Sequence, residues 1–294
     1  MESKTKAVHV HGRWADAKKS RRPVTKGNKT TKLSKVFAVG RYTVMGIMLG
    51  SASVATVSAQ ESPAHGINNV LLIHGAWADG SSWSKVIPRL EAKGLHVVAV
   101  QLPLTSLADD VATTQRALAL ENGPVLLVGH SYGGAVITEA GNNSKVAALL
   151  FVAAYAPDQG ESALSLATAN PTPVGNELRP DPSGMFYKLS REGILDDFAQ
   201  DLPKTEKATL FVTQGPTGAA ALGSPTTDPA WKNKPTWFIV AGQDRIISPQ
   251  LEEMEAKRMN AVTIEVNTSH VAMLSDPTRV ADFIAQAAEH SGSH

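Results

Sequence analysis

The chain has 294 residues, 43% hydrophobic and 19% charged, with no cysteine and a formal net charge of +1. That composition excludes a disordered, collagen-like or multi-span membrane chain, and the missing thiols exclude disulfide frameworks, thiolate metal sites and a cysteine nucleophile. The charge is split: residues 1–59 hold twelve Lys and Arg against two acidic residues, and residues 60–294 hold sixteen against twenty-five. An acidic body argues against nucleic-acid binding, which needs clustered positive charge to neutralise phosphate.

From the N-terminus, Lys4 to Arg41 is basic and lacks helical or strand periodicity. Tyr42 to Ala59 carries no charge and ends on the small residues Val57-Ser58-Ala59. Basic region, apolar region and small residues follow the order of a secretory signal, so residues 1–59 are expected to be a leader cleaved near Ala59, with export of the rest. Two other readings stay open: a start codon placed too far upstream, or an apolar run retained as an anchor. The run is short and rich in Ser and Gly for a span, which needs about 20 strongly apolar residues, so no stable membrane span is expected after cleavage.

The body, residues 60–294, alternates strands and helices. Val70–Ile73, Val97–Val100 and Pro124–Val128 are continuous apolar runs, as strands buried on both faces require, and Val146–Ala153, Thr236–Ala241 and Val262–Val266 are the fourth, fifth and sixth strand candidates. Between them fall helix candidates at Ser84–Lys93, Ser106–Leu120 (with Ser106 as cap), Ala135–Gly141, Gln250–Asn260 and Pro277–Glu289. The alternation predicts an α/β fold: a mostly parallel sheet of about six strands with helices on both faces. Residues 156–234 break the rhythm. They are too long for a simple crossover and read as an inserted lid over the carboxyl edge of the sheet; a floppy surface excursion is the other reading.

Gly129-His-Ser-Tyr-Gly-Gly134 lies between a strand and a helix. This is G-x-S-x-G in the setting its chemistry demands: the serine occupies a strained turn, and glycines on either side let neighbouring backbone pass. A serine hydroxyl needs a base, and the base needs an acid to orient it. His270 and Asp244 lie at the ends of the two later strands, so Ser131, Asp244 and His270 are the candidate catalytic residues. Asp276 is the rival acid but reads better as the cap of the last helix. Two backbone donors are needed for the oxyanion, the amides of Tyr132 and, in the loop after the first strand, Ala76. His74 reads as a structural residue beneath that loop. Trp77 and Trp83 could line a substrate pocket or simply pack. The histidines are scattered, so no metal site is indicated, and no cofactor is implied.

Leu72-Ile-His-Gly-Ala-Trp77 with Trp83, the Gly129–Gly134 motif, Ala241-Gly-Gln-Asp-Arg-Ile-Ile-Ser-Pro249 and Ser269-His-Val-Ala-Met-Leu-Ser-Asp-Pro277 together resemble the α/β-hydrolase superfamily, in its esterase and hydroxynitrile-lyase-like branch. The resemblance spans residues 68–290. It implies the α/β-hydrolase fold, Ser131 as nucleophile, Asp244 and His270 as its partners, and Ala76 and Tyr132 as oxyanion donors. Lyases of this branch resemble one another in a Thr after the first-motif His and a Lys after the triad His; this chain has Gly75 and Val271. The expected activity is therefore a carboxylesterase acting on small to medium hydrophobic esters. A cofactor-free haloperoxidase or lyase on the same triad, and a hydrolase-fold binding protein without turnover, are the alternatives. The substrate's identity and the oligomeric state are not legible.

Overall fold

The architecture was read from a computed structural model that describes residues 66–291. The leader reading of residues 1–59 falls outside them. Asn69–Ile73 forms β1, buried along its whole length. A 3₁₀ turn at Gly80–Trp83 and the short helix α1 (Ile87–Glu91) lead to β2 (His96–Val100). Helix α2 (Leu107–Leu120) begins on Ser106, whose side chain accepts from the Asp109 amide. Strand β3 (Val125–Ser131) runs straight into α3 (Tyr132–Ala140), so the glycine–serine motif is the last turn of strand and first turn of helix, with no loop between. Strand β4 (Val146–Ala154) precedes the insertion.

The insertion carries regular elements of its own. It contains α4 (Ala163–Ala169), a 3₁₀ turn at Pro173–Glu177, β5 (Leu178–Pro180), β6 (Phe186–Leu189), a π-helical turn at Gly193–Phe198, α5 (Lys204–Thr213), the two-residue β7 (Thr217–Gly218), α6 (Ala219–Gly223) and a 3₁₀ turn at Ala230–Lys232. Strands β5, β6 and β7 pair antiparallel in a small separate sheet. The main chain then resumes with β8 (Thr236–Ala241), α7 (Pro249–Arg258), β9 (Val262–Val266), the single turn α8 (Ala272–Ser275) and α9 (Pro277–His290).

The main sheet has six strands in the order β2-β1-β3-β4-β8-β9, all parallel. Parallel strands need covered faces, and neighbouring residues of β8 point to the two covers. Trp237 packs edge-on against Phe283 of α9, and Phe238 stacks on Phe151 of β4, on the side where Phe151 meets Gly134 of α3. All six strands therefore deliver their carboxyl ends to one rim, where the insertion lies. Among the described residues no helix is long and apolar enough to cross a membrane.

Candidate active site

Ser131 closes β3 with φ 55 and ψ −126, a left-handed conformation for a residue that carries a Cβ. Such a residue stores roughly 1–3 kcal/mol of strain and persists only where its surroundings fix it. The surroundings here are glycines. A Cβ at Gly129 would come 2.6 Å from the Gly133 carbonyl oxygen, and one at Gly133 would come 2.6 Å from the Ile73 oxygen. The turn is thus pressed against itself and against the end of β1, and the serine side chain is forced out at the rim.

His270 Nε2 lies 2.8 Å from Ser131 Oγ, and His270 Nδ1 lies 2.5 Å from Asp244 Oδ2. The other oxygen of Asp244 accepts the amides of Ile246 at 2.7 Å and Ile247 at 3.0 Å. With Nδ1–H donating to the carboxylate, Nε2 is free to accept the serine proton, the arrangement that makes a hydroxyl nucleophilic. Ser131, Asp244 and His270 are all buried, and the imidazole is wedged between the rings of Phe198, at 5.2 Å, and His130, at 4.6 Å. The two amides expected to hold an oxyanion make no hydrogen bond to protein acceptors among the described residues. That of Tyr132 belongs to the first turn of α3, where intrahelical acceptors are lacking. Gly75, next to Ala76, abuts Ser131: a Cβ there would sit 2.6 Å from Ser131 Cβ.

His74 is buried under this loop, as expected of a structural residue. Its Nε2 accepts the Leu102 amide at 2.9 Å, its Nδ1 meets the Gly75 carbonyl at 2.9 Å, and burial lowers its pKa. Asp276 accepts the Arg279 amide at 3.1 Å and caps α9, away from the histidine relay. Trp77 lines the cavity beside Ser131. Trp83 does not: it is fully buried and meets His130 edge-on, with ring centroids 6.4 Å apart.

The cavity measures about 350 Å³ and opens on Ser131, Ala76 and Tyr132. Its far wall comes from the insertion, including Ala163, Leu164, Val174, Leu178 and Leu222, and no lining residue is charged. That volume is at the lower end of small-molecule sites, roughly 300–1,000 Å³. No group of three or more His, Asp or Glu among the described residues is placed to hold a metal ion.

Three elements of the site were missed in the sequence. His130, inside the serine motif, donates from Nε2 to the His270 carbonyl at 3.0 Å and is kept neutral, its pKa pushed well down by burial and by the neighbouring His270. Asp110 is fully buried and accepts the Tyr132 hydroxyl at 2.7 Å and the Leu104 amide at 2.8 Å. Burial raises its pKa to about 6, against those hydrogen bonds, which lower it. Glu252 is buried behind Asp244, accepts the Ala241 amide at 2.9 Å, and is raised well above the ordinary carboxyl range by burial and then by the charge of Asp244. A signal existed for two of them. Asp110 shares the buried stripe of α2 with Leu107, Thr114 and Leu118, and Glu252 lies on the buried side of α7 beside Leu251, Glu255 and Ala256. A carboxyl on an apolar stripe points to a buried partner.

Comparison with known proteins agrees with this architecture. Residues 70–283 match the model of the Alpha/beta hydrolase family. The chain belongs to that family. Among curated relatives of this hydrolase, the Probable hydrolase R7 of Phoma sp. is 23% identical over 241 residues, 74% of this chain and 97% of that one. Methylesterase 2 of Arabidopsis thaliana is 25% identical over 256 residues, 75% of this chain and 95% of that one. Among solved structures, a pyrethroid hydrolase from Sphingobium faniae superposes with a TM-score of 0.69 at 22% identity, covering 76% of this chain and 98% of that one. A Cβ on Gly75 would meet Ser131, and Val271 is buried.

Proposed function

We propose that the hydrolase is a carboxylesterase that cleaves uncharged, small to medium hydrophobic esters through an acyl-enzyme on Ser131. The observation that carries the reading is the continuous relay from Asp244 through His270 to Ser131, at 2.5 and 2.8 Å, facing an apolar cavity. The Ser131 proton passes to His270 Nε2 as Oγ bonds to the ester carbonyl carbon. The oxygen that gains charge is received by the free amides of Ala76 and Tyr132, each such donor contributing about 10²–10³ in turnover. Collapse breaks the bond to the alcohol, which leaves with the proton held by His270. Water then enters, gives a proton to His270 and releases the carboxylic acid, and Ser131 recovers its proton.

The uncharged wall of the cavity supports an apolar substrate, since an ionised group there would lose its hydration without a partner. The hydrolase and methylesterase names of the relatives point to the same reaction class. The test is hydrolysis of short p-nitrophenyl esters by the purified protein and by Ser131→Ala. Loss of turnover in the variant supports the reading, and equal turnover overturns it. Export with cleavage near Ala59 is a separate proposal, tested by N-terminal mass spectrometry of the secreted protein.

A further inference from the structure

Two non-glycine residues in the loops flanking the site adopt left-handed backbone, Trp77 with φ 57 and Leu104 with φ 56. Such conformations persist only when neighbours over-determine them. Both are held by the same piece of the lid. The Trp77 amide donates to Thr217 Oγ1 at 3.1 Å, and its indole Nε1 donates to the carbonyl of Tyr187 at 3.0 Å; Tyr187 is the residue paired with Thr217 across β6 and β7. The next residue, Gly218, donates its amide to the Leu104 carbonyl at 2.7 Å. Thr217 is fully buried, and a Cβ on Gly218 would come 2.5 Å from the Thr105 carbonyl oxygen, so this lid edge is seated tightly on the loop after β2.

The chain of bonds reaches the two residues at the expected oxyanion site from either side, ending at the amide of Trp77, next to Ala76, and at the side-chain hydroxyl of Tyr132. Trp77 follows Ala76 directly, and the peptide that joins them is oriented by its hydrogen bond to Thr217, which leaves the Ala76 amide one residue back without a partner. On the other side, Leu104 donates to Asp110 and Asp110 accepts the Tyr132 hydroxyl. The lid edge therefore links the Trp77 amide to the Tyr132 hydroxyl.

We propose that Thr217 is a positioning residue, through which the seated lid edge holds the Ala76 amide in register with Ser131, so that lid docking sets the rate of acyl transfer. This rests on the esterase reading. An oxyanion donor acts on charge present only in the transition state, so its misplacement lowers kcat and leaves KM nearly unchanged.

The experiment uses the full chain with p-nitrophenyl butyrate and a trifluoromethyl ketone analogue of the tetrahedral state. Thr217→Val keeps the shape and removes the acceptor; kcat should fall about tenfold or more, KM should stay within about twofold, and affinity for the ketone should fall in step with kcat. Thr217→Ser should recover most of that loss. Gly218→Ala supplies a second route, unseating the lid edge with Thr217 intact, and should give the same kcat-weighted loss even where the valine variant fails to fold. The inference is overturned if both Thr217→Val and Gly218→Ala keep wild-type kcat, if serine gives no rescue, or if the losses fall on KM alone. An active Ser131→Ala removes the esterase reading and this inference with it. An inactive Ser131→Ala beside fully active Thr217→Val and Gly218→Ala removes this inference alone.

Discussion

Gly75→Ala adds one methyl group where the first-strand loop meets Ser131. The new Cβ would lie 2.6 Å from Ser131 Cβ, 3.1 Å from Ser131 Oγ and 3.1 Å from His130 Nδ1. Carbon atoms rest about 3.5–4.0 Å apart, so the contact must open by about 1 Å. Neither neighbour yields easily. Ser131 is fixed by its strained turn, and His130 is tied to the His270 carbonyl. The loop must therefore retreat and take the Ala76 amide with it. A misplacement of about 1 Å at a reacting centre costs on the order of 10²-fold in rate, whereas overpacking costs about 1–3 kcal/mol of stability. Gly75 is not in a left-handed conformation, so no backbone strain is added to the steric effect. The expected result is a folded enzyme with kcat reduced about a hundredfold and KM little changed, measured by steady-state hydrolysis of p-nitrophenyl butyrate beside thermal melting. A folded Gly75→Ala with kcat within about threefold of wild type would refute the reasoning, because the loop would then have slack that the distances deny.

Asp110, raised to about 6, binds its proton more tightly in the folded chain than in the unfolded one. Its contribution is fully present below about pH 4 and is lost as pH rises through about 6, a change on the order of 2–3 kcal/mol. Melting curves from pH 4 to 7 should therefore show wild type falling relative to Asp110→Asn, and parallel profiles would contradict the assignment. Burial, and then the charge of Asp244, raise the Glu252 carboxyl well above the carboxyl range, so it binds its proton more tightly in the folded chain than in the unfolded one. Glu252→Gln should keep turnover at pH 7 and escape the loss of stability that wild type suffers as pH climbs through the raised value, whereas Glu252→Ala should cost about 2–4 kcal/mol by leaving a cavity and an unpaired Ala241 amide. Ala163 lines the cavity away from the relay. Ala163→Phe should shift kcat/KM toward shorter acyl chains, by about 0.8 kcal/mol for each methylene excluded, read from a series of p-nitrophenyl esters. An unchanged chain-length profile would place the acyl group elsewhere.

Much of this hydrolase is written in local pattern. The four central strands of the main sheet are runs of apolar residues because both their faces are buried, the edge strands β2 and β9 are β-branched runs with exposed positions such as Glu265, and all six are visible in sequence. Sequence singled out Ser131 as a candidate because its glycines and flanking elements are contiguous, and Asp244 and His270 because each follows the end of a strand of that pattern; the fold brings the three side chains within hydrogen-bond reach. What sequence left blank depends on contacts between distant segments. The lid's small elements carry weak periodicity, so nothing local shows that Thr217 meets Trp77, or that Trp83 turns away from the cavity toward His130. Asp109 and Asp110 are neighbours of identical chemistry; one is exposed at the helix cap and the other is sealed against Tyr132. Side-chain type fixes the strand pattern and the nucleophile's turn, since both are set within a few residues. Which carboxyl keeps its proton and which amide stays free to meet an oxyanion are set by burial and partners, and those exist only once the chain has folded.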